Sequence, residues 1–219
     1  MAGSPVATVI VALPTVDGRE SHLERAEHAL HETVPPAVRL VIDVQKNRAT
    51  CGEVWNTVAA RAQAFATGSD GPVYLLCMAD DLEPLPGWYA AAARHVEWGS
   101  TPSALIYTAR AGQPDVVESH GDWGVRYPMP QVTSMSRIPF CRADQWIPIP
   151  PIHYFSDNAF SSAMTMQQIP IVAEPEFAFR HWWAAPGRKP MNDPQWFAEQ
   201  TAWQTWATGA LLERAPRWS

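Results

Sequence analysis

An apolar run, Val73-Tyr74-Leu75-Leu76-Cys77-Met78-Ala79, leads directly into Asp80 and Asp81, with Glu83 two residues on. Carboxylates at the end of a buried strand are hard oxygen ligands. They suit Mg²⁺ or Mn²⁺ bridged to phosphate oxygens. In wound α/β sheets, ligands bind outside the carboxyl ends of strands, which is where this pair falls. The same residues would also serve as a solvated turn in which Asp80 or Asp81 caps the next helix. A third carboxylate, Asp157, stands in Tyr154-Phe155-Ser156-Asp157-Asn158-Ala159-Phe160. This reads as a helix start with Ser156 as cap and Asp157 in the first turn, where the helix dipole favours the ionised form. Arg188 and Lys189 lie in a Gly/Pro-rich stretch, 185–190, of a kind that can close over a diphosphate and screen its charge.

The order of elements must position these groups. Val6–Leu13 (VATVIVAL) is a β-branched run without alternation, as expected of a strand buried on both faces, and Pro14 ends it. Asp17 and Glu20 form a capping-box pattern for a helix to about Val34, with Leu23, Ala26, Leu30 and Val34 as its apolar stripe. Val38–Val44 is a second buried strand, and Gly52–Ala66 a helix. Val73–Met78 is a third strand, Leu85–Trp98 a helix and Ser103–Thr108 a fourth strand. Successive βα units predict a parallel, right-handed wound α/β sheet. The second half is Pro-rich. It predicts a helix at Ser156–Gln168, strands at Ile169–Ala173 and Glu176–His181, and a final helix from about Asp193 to Arg214. With no clean linker, the chain reads as one domain over 1–219. Residues of about 6–110 bind a nucleotide, and those of about 111–219 shape the acceptor side.

This ordered set resembles the GT-A nucleotide-sugar glycosyltransferases, especially the inverting, family-2-like ones. The resemblance rests on a strand ending in Pro14-Thr15, an acidic second strand, LLCMADDLEPLPGW, and a later Ser-Asp segment and His. It covers about residues 6 to 183. Alanine at position 79 replaces the first acid of the usual Asp-x-Asp. The resemblance implies a GT-A fold and transfer of a sugar from a nucleoside diphosphate, UDP-sugars favoured, to an acceptor hydroxyl with inversion. Mn²⁺ or Mg²⁺ is implied as cofactor, held by Asp81 and His181, with Asp80 facing ribose or metal. Pro14, Thr15 and Arg19 match the loop that meets the nucleotide. Asp43 matches the acid that reads the base edge. Asn47, Arg48 and Asn56 match a segment near the base and diphosphate. Asp157 matches the group that takes the acceptor proton, with His153 as a competitor. Trp182 and Trp183 join His153 and Arg188 as acceptor or loop candidates, since aromatic faces stack on sugars and bases. The acceptor could be a glycan, a protein or a modified DNA base. A nucleotidyltransferase of similar form, and a catalytically inactive nucleotide- or carbohydrate-binding module, are the alternative readings.

Composition narrows the field. The chain has 219 residues, 22 acidic and 16 basic, for a net charge of -6 and a pI of about 5.6. That balance disfavours a phosphate-tracking nucleic-acid binder, which needs a basic surface. Lys46 and Lys189 are the only lysines, a bias toward Arg that, with the small size, hints at a bacterial or phage source. The longest apolar stretch is far short of the ~20 residues of a membrane span, and no basic n-region precedes it. Cys51, Cys77 and Cys141 form no CxxC pair, so a disulfide framework is not expected and the reading is cytoplasmic.

Overall fold

The computed structural model describes residues 6–48, 50–109, 116–117, 138–182 and 194–214. The elements in chain order are β1 (Thr8–Thr15), α1 (Glu20–Thr33), β2 (Arg39–Lys46), α2 (Cys51–Ala66), β3 (Val73–Cys77) and β4 (Leu82–Pro84). They continue with α3 (Trp88–Glu97), β5 (Thr101–Ala109), β6 (Val116–Val117), β7 (Phe140–Arg142), α4 (Ser156–Met166), β8 (Ile171–Trp182) and α5 (Pro194–Arg214).

The strands form two sheets. The first has the order β2-β1-β3-β7, with β1 parallel to β2 and β3 and β7 antiparallel at the edge. The second has the order β4-β8-β5-β6, in which β8 runs parallel to β5 and antiparallel to β4. The result is a mixed α/β fold around a mostly parallel central sheet with flanking helices.

Alternation along β1 explains its unbroken apolar text. Val9, Val11 and Leu13 enter one core, with Leu30, Trp88, Phe140, Phe177 and Phe179. Ile10 and Ala12 enter a second core on the opposite face, with Trp55, Val58, Phe160 and Met164 of α2 and α4. With both faces covered, every position of the strand must be apolar. Trp88 is fully buried among aromatic rings and donates its indole N–H to Thr33 Oγ1 at 2.8 Å. Truncating such a ring costs about 3–5 kcal/mol.

Several sequence expectations are corrected. Pro14 does not end β1, which runs to Thr15. Pairing with β3 stops at Ala12↔Cys77, so the missing N–H of Pro14 falls where that neighbour has already left. β2 is half-exposed rather than buried, because among the described residues it is an edge strand with β1 as its one partner. The Asp17–Glu20 capping box does not form. Helix α1 begins at Glu20 with no side-chain cap, and Asp17 pairs instead with Lys46 and Asn47. The two strands expected near residues 169–181 are one, β8, whose pairing with β5 is irregular between Ser103 and Leu105.

Candidate functional site

The carboxyl ends of β1 and β3 meet at the acidic pair. Beyond Cys77 the chain turns through Asp80, with Leu82 N–H bonding Ala79 C=O at 3.2 Å, and enters β4. Helix α3 starts from Gly87 with no side-chain cap, so neither acid is its cap. Asp80 is 5% exposed. Its Oδ2 accepts from Thr15 Oγ1 at 2.7 Å and Arg19 Nε at 2.9 Å, and Oδ1 lies 2.7 Å from Arg19 Nη2. Asp80 is therefore committed to holding Arg19. The same Arg19 Nη2 reaches Asp81 Oδ2 at 3.1 Å.

β8 supplies the other side. Leu82 pairs with His181 across the antiparallel ladder, and Trp182 N–H bonds Asp81 C=O at 2.8 Å. This register carries His181 Nε2 to 3.5 Å from Asp81 Oδ2. Burial would raise the Asp81 carboxyl, but His181 and Arg19 outweigh it and hold it below its ordinary value. Burial likewise opposes the charge of Arg19, and the bonds to Asp80 and Asp81 outweigh it, leaving the guanidinium above its ordinary value.

Asp81 and His181 thus converge as one carboxylate and one imidazole. Among the described residues no group of three or more His, Cys, Asp or Glu is arranged to hold a metal. A two-ligand set still suits Mg²⁺ or Mn²⁺, which commonly takes one or two protein ligands and completes its shell with water and substrate phosphates. On donor chemistry the residues fit such an ion.

The acceptor-side candidates gather around the start of α4. Asp157 lies in its first turn, as expected, but the residue before the helix is Phe155, and Ser156 Oγ donates to His153 C=O at 3.1 Å. His153 Nδ1 contacts Cys51 Sγ at 3.3 Å. Burial pushes the Cys51 thiol up to about 12, aided by the negative field of Asp81, Asp157 and Asp80. Cys51 therefore touches the turn that leads into α4. Gly52 beside it is a necessity of packing. A Cβ there would lie 2.3 Å from Pro150 O, where Gly52 N–H bonds Ile152 C=O at 2.9 Å.

The remaining candidates separate by partner. Asp43 pairs with Arg61 at 2.7 Å and accepts from Gln45 Nε2. Asn56 holds the chain at 146–149: its Oδ1 accepts from Trp146 Nε1 and Ile149 N–H, and its Nδ2 donates to Ile149 C=O. Arg48 is exposed at the end of β2, and Pro14 lines the end of β1. Trp182 lies under Arg25, 4.2 Å from guanidinium carbon to ring centre, and donates its indole N–H to Glu83 at 2.6 Å. Trp183, Arg188 and Lys189 lie outside the described residues.

Sequence reading missed Cys51 and Glu199. Glu199 had a visible signal. Trp196, Glu199 and Trp203 share one face of α5 at helical spacing, and both tryptophans pack into the second core. A carboxylate on an apolar stripe needs a partner.

No protein-family model matches the chain, and no curated protein matches it in sequence. The fold is similar to solved structures. TarS from S. aureus matches with a TM-score of 0.53 and 14% identity, over 82% of this chain and 37% of that one. TarS 1-349 in complex with UDP-GlcNAc matches at 0.54 and 14%, over 86% and 61%. GalNAc-T7 with UDP, GalNAc and Mn²⁺ matches at 0.57 and 12%, over 85% and 46%. These neighbours are glycosyltransferases of GT-A type. The chain spans less than two thirds of the length of each.

Proposed function

We propose that the chain transfers a sugar from a nucleoside diphosphate, a UDP-sugar in the first instance, to an acceptor hydroxyl with inversion. The observation that carries this reading is the convergence of Arg19, Asp80, Asp81 and His181 at the carboxyl ends of β1 and β3, within a GT-A fold. Similar structures with bound UDP, and with UDP and Mn²⁺, support the nucleotide and the ion.

Asp81 and His181 would hold Mn²⁺ or Mg²⁺, which would supply Lewis-acid stabilisation of the departing diphosphate. Arg19 adds fixed positive charge at the same place, oriented by its two bonds to Asp80. Thr15 keeps Asp80 turned toward Arg19. Pro14 near the end of β1, Arg48 just past β2 and Asp43 within β2 form the nucleoside side, with Asp43 reading the base edge. Asp157, in the first turn of α4, takes the proton of the acceptor hydroxyl as the new bond forms. The acceptor is a glycan, a protein or a modified base.

The test is calorimetric titration of UDP with and without Mn²⁺, followed by product analysis with a panel of nucleotide sugars. Nucleoside diphosphate and an inverted anomer are the expected products. Pyrophosphate would make the chain a nucleotidyltransferase, and nucleotide binding without turnover would make it a binding module.

A further inference from the structure

We infer that Glu199 of α5 is a positioning residue that fixes the turn bearing His153 and leading into Asp157. The inference rests on the transferase reading and adds a residue to it. Glu199 is 8% exposed. Its Oε2 accepts two backbone hydrogen bonds, from His153 N–H and Tyr154 N–H, each at 2.7 Å. Its Oε1 accepts from Gln195 Nε2 at 2.7 Å, which keeps the carboxylate from rotating.

The two amides lie just ahead of α4. They precede the helix, so no i→i−4 ladder exists to satisfy them. A carboxylate brought in from 45 residues away takes that role. Aromatic packing locks the same place from the side. Phe155 stacks on Trp203 with ring centres 5.6 Å apart and meets Trp196 edge-on at 5.0 Å. Trp203 Nε1 also donates to Ser162 Oγ of α4 at 3.1 Å. Helix α5 therefore grips both the turn and the helix it opens.

The other face of this turn belongs to the nucleotide half. Ile152 C=O accepts from Gly52 N–H, and His153 Nδ1 contacts Cys51 Sγ. Glu199 holds the backbone of the same turn from α5. Its removal frees two amides, lets the His153 ring leave Cys51, and shifts the first turn of α4 relative to Asp81. Misplacement of a reacting group by about 1 Å costs on the order of 10²-fold in rate without loss of substrate binding.

The experiment compares Glu199→Ala and Glu199→Gln with the unaltered full chain by amide hydrogen exchange, UDP titration, maleimide labelling of Cys51 and turnover of a UDP-sugar. Gln keeps an acceptor oxygen for both amides, so it is the rescue variant should Ala fold poorly. For Ala, exchange at His153 and Tyr154 rises about tenfold or more, as expected for losing these bonds, and labelling of Cys51 quickens. UDP affinity holds within about twofold, turnover falls by about 10²-fold, and Gln lies between. Unchanged exchange at both amides in either folded variant overturns the inference. So does faster exchange with turnover intact, or a fall in UDP affinity that matches the fall in turnover. Absence of turnover in the unaltered chain counts against the transferase reading alone, because exchange and labelling still decide the role of Glu199.

Discussion

Thr15 donates a 2.7 Å hydrogen bond to Asp80 across 65 residues of sequence, and both residues are buried. It joins the end of β1 to the end of β3 just where the two strands have stopped pairing. Replacing Thr15 with Val keeps the shape and leaves one bond of a buried carboxylate unmade. That should cost about 1–3 kcal/mol of stability. Urea unfolding measures it, and an unchanged midpoint would mean that Arg19 alone satisfies Asp80.

Asp81→Ala removes the oxygen on which both Arg19 and His181 converge. Transfer should be abolished and UDP affinity with Mn²⁺ should drop to the value seen in EDTA. If EDTA and the substitution both leave affinity untouched, the ion is held elsewhere or is not used.

Asp157→Asn keeps the helix start and removes the proton acceptor. Transfer should fall by ~10²–10⁴-fold, with donor affinity unchanged. Paired donor titration and transfer assays on one preparation decide it. Near-normal transfer would return Asp157 to a dipole partner of α4 and make His153 the next base to test.

Acid should weaken the site through Asp81. Its carboxyl is held below its ordinary value in the folded chain, so its contribution to stability is full above the unfolded value of about 3.9. The contribution is lost as the pH falls below that value toward the folded one. Asp81→Asn should therefore flatten part of the stability–pH curve below about pH 4 and leave the neutral region parallel. Parallel curves throughout would deny Asp81 this role.

Cys51 should be a slow thiol. With its pKa at about 12 instead of 9.0, the thiolate fraction at pH 8 is about 10³-fold lower than that of an unperturbed thiol. Cys77 and Cys141 are fully buried, so labelling reports Cys51. The maleimide rate should climb about tenfold per pH unit past pH 9. A plateau near pH 9 would show that the surrounding carboxylates and burial do not act on it.

The apolar runs of β1 and β3 made the central sheet legible from sequence, because burial on two faces leaves one kind of text, and the acids that follow β3 marked its candidate site. Edge position leaves a fainter mark. β2 keeps an apolar run at Leu40–Ile42 and Val44 but carries Arg39, Asp43, Gln45 and Lys46, and its place at the sheet edge is what exposes it. Asp17 had the right spacing for a cap, but Lys46 and Asn47 arrive from β2 and take it. Pro175 splits the text of β8 although the strand passes through it with an irregularity. Thr15 and Arg19 stood out as candidates in the sequence, whereas their bonds to Asp80 depend on how β1 leaves β3. The stripe of Trp196, Glu199 and Trp203 marks Glu199 as a carboxylate in need of a partner, but which amides it meets depends on the docking of α5.

The ladder between β4 and β8 has a consequence of its own. Leu82 faces His181, and each residue alternates faces along the strand. A slip of a single residue would bring Arg180 or Trp182 opposite Leu82 and swing the imidazole to the far side of the sheet. The meeting of Asp81 and His181, on which the proposed cation site depends, is thus indexed to strand alignment. A one-residue deletion in β8, far from Asp81 in sequence, would erase the site as completely as removing His181 itself.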